Sequence, residues 1–119
     1  MTQTNGGIHY NQRDIVLIPF PYSDLTGSKQ RPALILSNSK LNVTPDRICC
    51  LITSNAPKDG IELRKAVFEE GKLPFQSWIK PHRLFTINEK IIQKKLATIT
   101  PEFHDQVIER VNEYIARRK

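Results

Sequence analysis

The sequence predicts a mainly β fold with a C-terminal helix, in the form of a small antiparallel barrel with the helix packed on it. Three observations carry this prediction. Apolar runs of strand length recur between Ile15 and Ile99, separated by clusters of turn residues. A helical apolar period appears only after Thr100. With 119 residues, 39% of them hydrophobic, the chain can fill one core but not two. Residues 1–119 therefore read as one domain.

The elements follow in order. Residues 1–12 form a loose leader without apolar period. Ile15–Phe20 is a continuous apolar run, as in a strand buried on both faces, and Pro19 and Pro21 place its end at an edge or bulge. Tyr22–Gln30 is a loop by composition, and Ala33–Leu36 resumes the strand pattern after Arg31-Pro32. Turn residues fill 37–46, and Ile48–Thr53 is the next apolar run, broken at Ser54–Gly60. In 61–68, Ile61, Leu63 and Val67 share one face of a half-exposed strand. Glu69 and Glu70 fall in a polar turn beside Gly71, as solvated charge. Ser77–Ile79 and Leu84–Ile87 flank a basic stretch, Lys80-Pro81-His82-Arg83, and Leu96–Ile99 is a last short strand.

The chain end is helical. Phe103, Val107, Ile108, Val111 and Ile115 lie on one helical face. Thr100 suits the N-cap and Pro101 the first helical position. Acidic Glu102 and Asp105 near the start, with Arg117, Arg118 and Lys119 at the end, complement the helix dipole. A helix over 101–117 is expected.

Charge and cysteine content narrow the function. The net charge is +6, yet residues 102–119 balance four acidic against four basic groups, so the excess lies in residues 1–101. A basic body favours a polyanionic partner. No apolar run approaches the ~20 residues of a membrane span, and the polar N-terminus lacks a signal-peptide pattern. A cytoplasmic protein with no membrane role is expected. Cys49 and Cys50 are adjacent in an apolar run, point to opposite strand faces, and read as reduced core residues. No cysteine or histidine spacing suggests a metal site. GxSxG, P-loop and GxGxxG motifs are absent, and Asp24 and Asp46 are isolated.

Three places carry chemistry. Arg31 sits where the loop meets an apolar strand, either as a phosphate clamp or as a solvated loop end. Thr53 ends ICCLIT before a polar loop, where its hydroxyl can face a cleft, although threonine is also an ordinary strand residue. Lys80, His82 and Arg83 cluster near Trp78 and Phe85, a pattern suited to a single-stranded nucleic-acid groove, unless both aromatics are core. His82 also has the chemistry of a proton carrier near neutral pH.

The segments DIVLIPFPYSD…GSKQRPALILSN, ICCLITSN and SWIKPHRLFTI, in this order, resemble the MazF/PemK-like (CcdB/PemK superfamily) toxins of type II toxin–antitoxin systems. The resemblance spans about residues 13–99 and accommodates the C-terminal helix. It implies an SH3-like β-barrel, CcdB/PemK-like, that forms a homodimer. It implies a sequence-specific endoribonuclease that cleaves single-stranded RNA without metal or cofactor. The arginine of the RP motif and the hydroxyl residue of the ITS motif fall on Arg31 and Thr53, which makes them the expected catalytic pair. Ser28, Lys29, Gln30, Ser54, Asn55, Lys80, His82 and Arg83 are the expected RNA contacts. The resemblance also implies a mobile loop at Tyr22–Gln30 and a cognate antitoxin whose acidic, partly disordered segment blocks the groove. The alternative is a barrel that binds nucleic acid or a peptide without cutting.

Overall fold

A computed structural model describes residues 9–20 and 29–118. Seven strands form one antiparallel sheet, in the order β4-β6-β3-β2-β1-β7-β5. They are β1 Asp14–Phe20, β2 Lys29–Ile35, β3 Asp46–Thr53, β4 Ile61–Glu62, β5 Phe68–Gly71, β6 Trp78–Asn88 and β7 Lys94–Ile99. A short helix, α1 (Ser39–Asn42), precedes β3, and α2 (Pro101–Ile115) closes the chain. Ile61 in β4 and Phe68 in β5 pack against the same core cluster although they lie at opposite sheet edges, so the sheet is curled. The mainly β fold with a C-terminal helix is as the sequence predicts.

The central strands are apolar on both faces because both faces are covered. Ile15, Leu34, Cys50, Ile52 and Ile79 pack with Phe103, Val107 and Val111 of α2. Val16, Ile18, Ala33, Ile35, Cys49 and Leu51 pack with Tyr10 and Ile92 on the other side. Strand alternation thus sends Cys49 and Cys50 into different clusters, and both are free thiols.

Helix α2 begins as its sequence dictates. The Thr100 hydroxyl accepts from the Phe103 amide, and Pro101 occupies the first turn. The helix stops at Ile115, two residues before the expected end. Ile108 and Ile115 are exposed, so the apolar stripe is wider than the face the sheet covers.

Four local expectations are corrected. Residues 61–71 do not form one strand and a turn: β4 pairs with β6 and β5 pairs with β7 at the far edge, and a 3-10 turn at Lys65–Val67 carries the chain between them. Glu69 and Glu70 therefore lie in β5, where Glu69 pairs with Arg13 and Glu70 with Lys95. The basic stretch does not separate two strands: β6 is one strand of 11 residues, and Pro81–Arg83 bulge from its ladder between Lys80 and Leu84. Lys29, Gln30 and Arg31 belong to β2, paired with Phe20, Pro19 and Ile18, so Arg31 lies inside a hairpin rather than at a loop end. Hairpin pairing there outweighs loop composition. The rest of the expected loop, 22–28, and most of the leader, 1–8, lie outside the described residues.

Candidate functional site

The site is built by the register of β2 on β3. Their ladder runs Ile35↔Cys49, Leu34↔Cys50, Ala33↔Leu51. It starts at Ala33 because Pro32 has no amide to donate. Continued two residues, the same register sets Arg31 across from Thr53. Alternation gives Arg31, Ala33, Leu51 and Thr53 one sheet face. Strand β6 extends that face, with Trp78 opposite Thr53 and Lys80 opposite Leu51.

Thr53 is buried, and its Oγ1 accepts from the Asn55 amide at 3.1 Å. That bond uses a lone pair and leaves the hydroxyl proton for donation. It also turns the chain, so that Ser54 and Asn55 face the opening. Arg31 is half-buried; its Nε is buried and has no hydrogen-bond partner. An unpaired buried donor costs about 1–3 kcal/mol. Arg31 makes no ion pair among the described residues. Its cation is thus not neutralised by any of the described residues.

Arg31 opens onto a cleft of about 480 Å³. Leu17, Pro32, Ile52, Leu73 and Leu96 give it an apolar floor, and Gln30, Ser54, Asn55, Ser77 and Lys94 a polar rim. Among the described residues no carboxylate and no histidine lines it. The cleft is therefore positive at its rim and apolar beneath, a combination suited to a phosphate with an attached base.

Thr53 itself does not line the cleft, whereas its neighbours Ile52, Ser54 and Asn55 do, and of the other expected contacts Gln30 lines it too. Lys80 is half-buried on the Arg31–Thr53 face. His82 and Arg83 stand in the β6 bulge and do not line the cleft; the His82 ring lies 5.6 Å from that of Tyr114 on α2. Lys29 is the first residue of β2, and Ser28 lies outside the described residues. Trp78 is half-buried and Phe85 packs against the core. The exposed aromatic at the cleft is instead Phe75, which periodicity does not reveal because it lies in the 72–77 loop.

A larger hollow of about 630 Å³ lies at the other end of β3, around Asn42, Thr44, Arg47 and Glu89. Its guanidinium is already used: Arg47 donates to the carbonyls of Tyr10, Thr44 and Asp46 and to Glu89. No three His, Cys, Asp or Glu side chains among the described residues are grouped to hold a metal ion. Burial pushes the Cys49 thiol up to about 12 against a small opposing effect of Arg47, and raises Cys50 further, so neither is a nucleophile near neutrality. No helix among the described residues is long and apolar enough to cross a membrane.

This fold is that of a known class of toxin. Residues 11–115 match the family of PemK-like, MazF-like toxins of type II toxin–antitoxin systems, and the chain belongs to that family. The MazE–MazF complex from Deinococcus radiodurans superposes with a TM-score of 0.74, at 18% identity over 93% of this chain and 100% of that one. An endoribonuclease in complex with its cognate antitoxin, from a mycobacterial species, gives 0.73 at 14% identity over 92% and 98%. MazF alone from D. radiodurans gives 0.70 at 19% identity over 93% and 100%. At these identities the likeness is one of fold. No curated protein matches the sequence.

Proposed function

We propose that this toxin is a sequence-specific endoribonuclease that cuts single-stranded RNA without metal at the cleft lined by Arg31, with Thr53 beside it at the end of β3. The observation that supports the reading most is the Arg31 guanidinium on the cleft, with a buried Nε that has no hydrogen-bond partner and with no ion pair among the described residues. Arg31 and Thr53 are both held by strands rather than loops, which fixes their geometry. The solved neighbour named above as an endoribonuclease shares the fold.

The chemistry follows from the substrate. RNA carries its own nucleophile in the 2′-hydroxyl. Attack forms the 2′-oxygen–phosphorus bond and breaks the bond to the 5′-oxygen. One proton is lost from the 2′-hydroxyl and one gained by the 5′-oxygen, which leaves 2′,3′-cyclic phosphate and 5′-hydroxyl ends. Charge builds on the non-bridging oxygens of the transition state. Arg31 supplies preorganised positive charge there, and the Thr53 hydroxyl donates to the same phosphate. With no histidine or carboxylate among the described lining residues, charge stabilisation and positioning are what these side chains offer. Gln30, Ser54, Asn55 and Lys80, together with Ser28, Lys29 and Arg83, are the proposed RNA contacts; His82 is assigned no proton step.

Two protein partners belong to the proposal. A second copy of the chain would cover exposed apolar side chains such as Ile48 and Leu84. A cognate antitoxin with an acidic, partly disordered segment would compete with RNA for the basic body; solved neighbours are complexes of toxin and antitoxin.

The test is incubation of purified protein with long mixed-sequence RNA in EDTA. Fragments with defined ends, lost in Arg31→Ala and Thr53→Val, are expected. Intact RNA with a binding-competent protein would replace this reading with that of a non-catalytic binding barrel.

A further inference from the structure

The 72–77 loop holds an exposed aromatic in a fixed position. Phe75 is 72% exposed, yet the loop around it is tied down. Leu73 packs against the core. The Ser77 hydroxyl donates to the Phe75 carbonyl at 2.8 Å, the Leu63 amide donates to the Ser77 carbonyl at 2.9 Å, and Gln76 bonds Glu62. Single exposed apolar residues are ordinary. The placement of this one is not: Phe75 lines the same cleft as Arg31.

We propose that Phe75 is the stacking platform for one unpaired nucleobase, which enters the cleft while Arg31 holds the neighbouring phosphate. The inference rests on the nucleic-acid reading of the cleft and deepens it, since it assigns the base contact as well as the phosphate contact. The cleft volume lies within the roughly 300–1,000 Å³ of small-molecule pockets. Its apolar floor takes a flat ring, and Gln30 and Asn55 at the rim offer amide donors and acceptors to a base edge. A rim with Arg31 and Lys94 and no carboxylate among the described residues favours a polyanionic strand over an acidic peptide's apolar side chains alone. Stacking on an aromatic face tolerates any base, so Phe75 contributes affinity and the amides contribute discrimination.

The experiment uses a random-sequence RNA pool with 2′-fluoro sugars, which lacks the 2′-hydroxyl and cannot be cut by this chemistry, and reads binding by fluorescence anisotropy over a salt series. Phe75→Ala is expected to bind about tenfold or more weakly, with the salt dependence unchanged, and Phe75→Trp to bind as wild type. Arg31→Ala is expected to lower the salt slope by about 0.7, the change that removal of one phosphate-binding cation produces on a single strand. On an abasic strand, wild type and Phe75→Ala are expected to bind alike. Exposure of the ring predicts that Phe75→Ala melts at the wild-type temperature. Wild-type affinity in Phe75→Ala, alongside weakened Arg31→Ala, overturns the assignment of Phe75 and leaves the cleft reading in place. A Phe75→Ala defect that persists on the abasic strand overturns stacking. No binding of the pool by wild type overturns the cleft reading and this inference with it.

Discussion

Arg31 and Thr53 stand two residues beyond the last paired residues of β2 and β3, at positions that the Ala33↔Leu51 register sets opposite each other. Among the described residues neither side chain is fully used by the fold: Arg31 Nε has no partner, and the Thr53 hydroxyl accepts a bond without giving one.

Different substitutions separate charge from hydroxyl. Removing one preorganised donor to a transition state lowers kcat by about 10²–10³-fold. Arg31→Ala is expected to lose at least that much, and Arg31→Lys to recover part of it, since lysine keeps the charge but not the planar fork. Thr53→Ser is expected to retain most activity and Thr53→Val to lose on the order of a hundredfold. Single-turnover cleavage of a mapped RNA site checks both, and equal activity of Thr53→Val and wild type would remove the hydroxyl from the mechanism.

Gly71 tests the curled sheet. It has φ +73, in β5 opposite Ala97, and a Cβ there would come 2.5 Å from the Leu96 carbonyl oxygen and 2.9 Å from Ala97 Cα. Both neighbours are backbone and cannot swing away. Gly71→Ala is expected to cost about 2–4 kcal/mol and lower Tm by roughly 10 °C. An unchanged melting temperature would mean that β5 does not press on β7 as described.

The cysteines test burial on the two sheet faces separately. Cys49 and Cys50 are each fully buried, in different clusters. Ellman's reagent at neutral pH is expected to leave the native protein unlabelled and to label both thiols in denaturant. Prompt labelling of the native protein at one thiol would show that its face is open.

His104 should make stability depend on pH. It is buried in the first turns of α2, with neither ring nitrogen hydrogen-bonded. Burial holds its pKa below 6.5, opposed by Asp105 and aided by Arg13, which itself pairs with Glu69. A depressed pKa means that the unfolded chain takes the proton first. Stability is therefore full above pH 6.5 and falls as the pH drops through the folded-state pKa. Glu62 and Glu70, held below 4.5 by bonds to Gln76 and Lys95 respectively, act only at more acid pH. Urea titrations across this range are expected to show the loss in wild type and not in His104→Leu. A flat wild-type profile would contradict the buried, neutral imidazole.

What the sequence reveals and what it hides follows from how local each signal is. The apolar run Ile15–Phe20, the paired cysteines and the Thr100-Pro101 cap are local patterns, and each forms the element it predicts. The 61–71 segment is opaque because its two halves serve opposite edges of the curled sheet, which only the strand order decides. Arg31 reads as a loop end because Gly27 and Ser28 precede it, while its hairpin pairing with Ile18 is a property of two strands together. Arg31, Thr53, Ser54 and Asn55 could be singled out by motif. Phe75 could not, since a loop aromatic has no period and its position on the cleft depends on the fold.

Cleavage of RNA at Arg31 and Thr53 through the substrate's own 2′-hydroxyl is tested most directly by replacing one sugar. A short RNA containing a mapped cut site is compared with the same strand carrying a single 2′-deoxy sugar on the 5′ side of the scissile phosphate, in EDTA. The predicted result is cleavage of the first to a 2′,3′-cyclic phosphate and no cleavage of the second at that bond. Equal cleavage of both would contradict the claim.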